Sequence, residues 1–135
     1  MSPKKLTTRT ADRAWALGRR RIAEKYAEVA HLIEIEDGAA VNVCVGLCVL
    51  AGIAAGDAIA VASVGRRYSG QDHAAAAAYL ATINAAAGRQ LKILVDLKPK
   101  AHYGNALLTA NDRKMSLRAA DALVAAATIR TGSAA

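Results

Sequence analysis

Residues 39–64 read AAVNVCVGLCVLAGIAAGDAIAVASV, an apolar run broken by Asn42, Asp57 and Ser63. As a helix it makes about seven turns, long enough to cross a bilayer. Gly52 and Gly56 also stand at the spacing of a membrane packing motif. The composition argues for a different environment. Alanine and glycine contribute little to insertion, and an aspartate is costly in the bilayer interior. A helix that is apolar all round is otherwise one that is covered all round, the central helix of a bundle. In that setting the two glycines let neighbouring helices approach closely, and no membrane association is expected. Asp57 then needs a polar partner, because an unpaired charge on a covered helix is expensive. His73, His102 and Lys98 are the candidates.

The flanking sequence supplies the neighbours. Thr10 or an adjacent residue can cap a first helix with Asp12 in its first turn. Trp15, Ile22, Tyr26, Val29 and Ile33 recur at helical spacing and predict an apolar face running to about Glu36, with Asp37-Gly38 as the stop. Gly65 ends the central helix, and Arg66-Arg67-Tyr68 reads as a basic turn. Ser69-Gly70-Gln71-Asp72 has the form of a capping box, with Asp72 in place of the usual Glu. It predicts a third helix from Gln71 to about Ala87, ended by Gly88. A fourth follows from Arg89 to Tyr103, with Ile93, Leu94, Leu97 and Ala101 on its apolar side, a kink at Pro99 and a stop at Gly104. Thr109-Ala110-Asn111-Asp112 is a second capping box. The last helix runs from it to about Arg130, with Met115, Ala119, Ala122, Leu123, Ala126 and Ile129 as the buried stripe. The expected fold is all-α, an up-and-down bundle of four to five helices in one domain over residues 10–131. A flexible basic tail is expected over 1–9 and a short tail over 132–135.

Composition agrees with a bundle. Of 135 residues, 54% are hydrophobic but only 4% aromatic, and there is no Phe. The core is therefore built from Ala, Leu, Ile and Val, which suit close helix packing. Cys44 and Cys48 lie on one helical face. They fit buried, reduced, structural thiols in a cytoplasmic protein, and two thiols alone do not make a metal site. No metal or cofactor is expected. Residues 1–21 contain no apolar core of the signal-peptide kind.

The net charge of +7 is unevenly spread. Residues 1–21 carry seven basic groups against Asp12 alone, and residues 22–37 are mostly acidic. Residues 89–118 are basic again. Two blocks are the expected nucleic-acid contacts, Arg19-Arg20-Arg21 and the region around Lys98 and Lys100. His31, on the acidic part of the first helix, reads as a surface residue.

Two further histidines fall at helix ends, His73 at a start and His102 at a stop. An Asp57–His73–His102–Tyr103 pocket follows if the third and fourth helices are antiparallel neighbours. The ordered pieces are Ala54-Ala55-Gly56-Asp57-Ala58, Gln71-Asp72-His73, Lys98-Pro99-Lys100-Ala101-His102-Tyr103 and Ala119-Ala120-Asp121-Ala122-Leu123-Val124. Together, over about residues 10–130, they resemble the HEPN (higher eukaryotes and prokaryotes nucleotide-binding) superfamily of small helical bundles.

The resemblance implies a homodimer that binds nucleotides or RNA. Many members are metal-independent endoribonucleases, some in toxin–antitoxin systems, and others are interaction modules that partner a nucleotidyltransferase. The ribonuclease signature is Arg, four to six residues, then His: the arginine holds a phosphate and the histidine moves a proton. Arg67 and His73 have that spacing, although Tyr68 stands where a polar residue is usual. The alternative text is Lys98, three residues, His102, then Tyr103, with Lys for Arg and a shorter gap. These departures imply a non-catalytic or degenerate branch. The resemblance thus gives Arg67, His73 and His102 as catalytic candidates, with Asp57, Lys98 and Tyr103 as ligand-binding ones.

Overall fold

In the computed structural model, which describes residues 7–132, the chain runs β1 (Thr8–Thr10), α1 (Arg13–Leu32), α2 (Ala39–Val64), β2 (Arg66–Tyr68), α3 (His73–Ile83), α4 (Ala85–His102) and α5 (Ala110–Thr131). The fold is an all-α helical bundle, with one two-stranded ribbon at its edge. The apolar run of residues 39–64 is the core helix, and most of it is buried by the helices around it.

Paired residues fix the directions. Arg19 meets Asp57, and the Cys44 thiol donates to the Ala30 carbonyl at 3.4 Å, so α1 runs antiparallel to α2. Leu94 packs over Gly52 and Leu91 over Gly56, so α4 is also antiparallel to α2. Asn42 holds the start of α5 and Ser63 its end, through Leu108 and Arg130, so α5 is parallel to α2. Gly52 and Gly56 are close-approach positions, as the sequence implied. A Cβ on Gly52 would lie 2.3 Å from Leu94 Cδ1, and one on Gly56 would lie 3.2 Å from Leu80 Cδ2. Cys44 and Cys48 are free and buried, and burial raises both thiol pKa values.

Several boundaries differ from the sequence reading. Helix α1 is capped by the Asp12 side chain, which accepts from the Trp15 amide at 2.8 Å, and it ends at Leu32 rather than Glu36. Its buried face is Ala16, Ala23, Ala27 and Ala30, while Ile22 and Val29 are exposed. The helix lies so close to its neighbours that alanines, not the large apolar residues, fill the contact. The same shift occurs on α5, where Ser116, Ala119, Ala120, Leu123 and Ala127 are buried and Met115, Ala122 and Ile129 are exposed.

Asp72 is the N-cap of α3 rather than its third residue, accepting from the Ala74 and Ala75 amides at 3.0 and 3.2 Å. The helix therefore starts two residues later than expected, at His73. It stops at Ile83, because Asn84 is extended and caps the next helix by accepting from the Ala87 amide at 2.9 Å. Gly88 is consequently inside α4 and stops nothing. Its hydrogen faces Ala81, and a Cβ there would come within 2.5 Å of the Ala81 Cα. The Thr109–Asp112 capping box forms as expected.

The tail expected over residues 1–9 is ordered where it is described. Thr8–Thr10 pairs antiparallel with Arg66–Tyr68, which is thus a strand and not a turn. Two β-branched threonines suit an extended segment, but their partner lies nearly sixty residues away and no local pattern marks it. Residues 1–6 and 133–135, the rest of both expected tails, lie outside the described residues.

Candidate functional site

The loop that follows α2 shapes a concavity lined by several polar and charged side chains. Gly65, in the left-handed region, ends the helix, and β1 then holds Arg66–Tyr68 against the bundle. The Arg66 guanidinium donates to Thr8, and the Tyr79 hydroxyl donates to the Arg66 carbonyl at 2.8 Å. With this frame fixed, Arg67 and Tyr68 turn toward α2 and α3. They close a cavity of about 190 Å³ that Asp57 and Ile53 of α2, Ser69 of the loop and His73 of α3 also line.

Asp57 is 21% exposed and paired with Arg19 of α1, whose Nη2 lies 3.2 Å and Nε 3.3 Å from Oδ2. Its partner therefore comes from the first helix, not from His73, His102 or Lys98. Antiparallel packing sets Arg19 beside Asp57 with the reach of a long side chain, and a helix that far away in sequence was not among the candidates. Burial nevertheless pushes the Asp57 carboxyl up to about 6, despite the opposing charges of Arg19 and Arg67.

Trp15 organises the two arginines. The Arg67 guanidinium lies 5.2 Å from the Trp15 ring centroid and the Arg19 guanidinium 6.0 Å. Both distances fit cation–π contact, so one ring holds two guanidiniums whose charges both act on Asp57. Trp15 read from sequence only as a core residue. A single tryptophan seven positions before an apolar isoleucine gives no sign of such a role.

His73 lines the same cavity, and its Nε2 lies 2.6 Å from the Lys98 Nζ. The ammonium donates, so the imidazole is neutral and carries its proton on Nδ1. Burial first, and Lys98 second, lower the His73 pKa. The structure thus brings together Arg19, Asp57, Arg67 and His73, with Lys98 just behind His73.

It does not bring His102 and Tyr103 to them. The His102 ring lies against Gly46, in a separate shallow groove near the start of α2, and Tyr103 is 80% exposed. The reason is a difference in length. Helix α3 has 11 residues and α4 has 18. His73 therefore faces Lys98, and His102 lies about one turn further on.

The arginine block does not act as one patch either. Successive helical residues point about 100° apart. Arg19 turns to Asp57, Arg20 to Glu24 at 3.3 Å, and Arg21 is exposed. Lys100 is exposed in the last turn of α4. His31 is on the surface as expected, and it also bridges α1 and α5, with Nε2 2.9 Å from Asp121 and Nδ1 3.1 Å from Glu34.

Among the described residues, no group of three or more His, Cys, Asp or Glu side chains could hold a metal ion. Compared with known protein families and with curated proteins, the sequence matches none.

Proposed function

We propose that this chain is a cytoplasmic, HEPN-like bundle that binds nucleotides or RNA at the cavity between α2, α3 and the Arg67 loop. The observation that carries this reading is one cavity lined by Asp57, Arg67 and His73, with Arg19 held behind it on Asp57 and Lys98 on His73, so that four elements bring basic groups to or next to it. Guanidinium groups held on an aromatic ring are pre-set for planar, two-point contact with phosphate. Exposed apolar residues on α1 and α2, among them Ile22, Val29 and Val43, support a face for a second copy.

Titration with a short single-stranded RNA at rising salt tests the reading. The affinity is expected to fall steeply, with log K declining by about 0.7 per phosphate neutralised for each unit of log salt. Arg67→Ala and Lys98→Ala are each expected to weaken binding. RNA binding that is absent at low salt would overturn the proposal.

A second reading is a metal-independent endoribonuclease. It is favoured by one observation, a neutral His73 beside Arg67 in the same cavity. Once the Lys98 ammonium moves from Nε2 to the phosphate, the neutral imidazole can accept a 2′-hydroxyl proton there while an arginine steadies the phosphate. RNA incubated with the protein in excess chelator decides it: cleavage that disappears in His73→Ala supports this reading, and intact RNA leaves binding alone.

A further inference from the structure

The cavity is not uniformly basic, and that asymmetry bears on which part of a ligand enters it. Asp57 Oδ2 is engaged by Arg19, but Oδ1 has no partner among the described residues. The Ser69 hydroxyl, which also lines the cavity, is buried and has no hydrogen-bond partner among the described residues. A carboxylate oxygen is an acceptor only, so the inner wall asks for N–H or O–H donors and repels a phosphate oxygen. A cationic donor is disfavoured by Arg19, Arg67 and Lys98 around it. What remains is a neutral group rich in N–H donors, attached to an anion that stays outside. The volume agrees: about 190 Å³ is below the roughly 300–1,000 Å³ of pockets that enclose whole drug-sized ligands, and suits one ring system.

Resting on the nucleotide-binding reading above, we infer that this cavity reads a nucleobase, and guanine best, while the phosphate lies outside it at Lys98 and His73. Guanine presents two adjacent donors, N1–H and the N2 amino group, and both can converge on Oδ1, the Asp57 oxygen that Arg19 leaves free. Its O6 and N7 acceptors suit Arg67, the pairing by which arginine most often reads guanine. Adenine offers one amino donor beside an acceptor. Uracil places an acceptor on each side of its single donor, and the carboxylate opposes both. The anion belongs at Lys98, whose ammonium sits 2.6 Å from the His73 ring at the cavity wall.

Four ligands separate base from phosphate: GMP, AMP, UMP and ribose 5-phosphate, each titrated by calorimetry at pH 8 and low salt. GMP is expected to bind at least about tenfold more tightly than AMP, UMP or ribose 5-phosphate, the discrimination of one good bidentate contact. Asp57→Leu should bring GMP close to ribose 5-phosphate, and Lys98→Ala should weaken all four alike. Should Asp57→Leu fail to fold by circular dichroism, Asp57→Asn keeps the volume and is expected to shrink the preference. The same titration with a G-rich and a U-rich hexanucleotide tells a free nucleotide from a guanosine within RNA. GMP and AMP binding equally, or a guanine preference that survives in the Asp57 variant, overturns the inference and leaves a nucleotide site. Failure of all four ligands and of both hexanucleotides overturns the site itself.

Discussion

Arg19 and Asp57 meet at 3.2 Å, yet Asp57 is easier to protonate than a carboxylate in water, with its pKa at about 6 against an ordinary 3.8. Burial outweighs the ion pair. A buried ion pair whose desolvation exceeds its attraction does not stabilise a fold. Asp57 is thus a cost carried at a cavity that Arg67 and His73 also line, which is where such costs are found when a site requires them.

The sign of that cost is measurable. Because the folded-state pKa lies above the unfolded one, the folded chain binds more protons between about pH 4 and 6. Stability from this group is full at low pH and falls as pH rises through that window. The fall is about 3 kcal/mol at most. Urea melts of the native chain and of Asp57→Asn across this range check it. The variant is expected to lose the downward trend and to be no less stable than the native chain at pH 7.5. A native chain whose stability rises through the window would show that Arg19 dominates instead.

His31 should act with the opposite chemistry and the same direction. Hydrogen bonding to Asp121, chiefly, and to Glu34 raises its pKa above 6.5 despite partial desolvation. The charged bridge between α1 and α5 is therefore complete below pH 6.5 and is lost as pH rises through the folded-state pKa. Thermal melts from pH 6 to pH 9 should show a declining Tm that is flattened in His31→Gln. The effect is small, because the ring and both carboxylates are exposed and salt screens them.

Helix identity was legible in the sequence because it rests on local signals. The apolar run of residues 39–64, Gly65 behind it and the Thr109–Asp112 box each act within a few residues of themselves. Helix faces were less legible. In α1 and α5 the close contacts are made by alanines, so the larger apolar residues pointed to the wrong face. Of the site, Asp57 stood out because a charge on an apolar helix needs a partner, and Arg67 and His73 only as what the family resemblance implies. Arg19 and Trp15 did not, since what joins them to Asp57 is the antiparallel packing of α1 on α2. The strand at Thr8–Thr10, which holds the Arg67 loop, was hidden for the same reason: its partner is distant in sequence.

Gly88 offers a test of the α3–α4 corner. Replacing a helical glycine by alanine ordinarily stabilises by about 1 kcal/mol. Here the new Cβ would meet Ala81 backbone, with Cα at 2.5 Å and N at 2.7 Å. A backbone atom cannot swing aside as a side chain does, so α3 must move. Gly88→Ala is expected to destabilise by about 1–3 kcal/mol, read as a lower urea midpoint, while Gly18→Ala, with open space around its Cβ position, is expected to be neutral or stabilising. A Gly88→Ala chain as stable as the native one would mean that the two helices are not in contact there.

Trp15 is the only tryptophan, and it lies against the two arginines on which the binding proposal depends. That makes it both a positioning residue and a reporter. An anion that draws Arg67 toward itself changes the cation–π contact at 5.2 Å, so GMP or RNA is expected to change the Trp15 emission in a saturable way. The change should be absent in Arg67→Ala. Trp15→Leu keeps an apolar side chain at the position but removes the ring that holds the guanidiniums. Each cation–π contact is worth about 0.5–1 kcal/mol at a partly exposed site, so ligand affinity should fall roughly two- to fivefold per arginine. A merely structural Trp15 would lower the melting temperature and leave affinity at 20 °C untouched. A positioning role predicts the reverse, an affinity loss larger than the stability loss implies, and calorimetric titration of the folded variant distinguishes them.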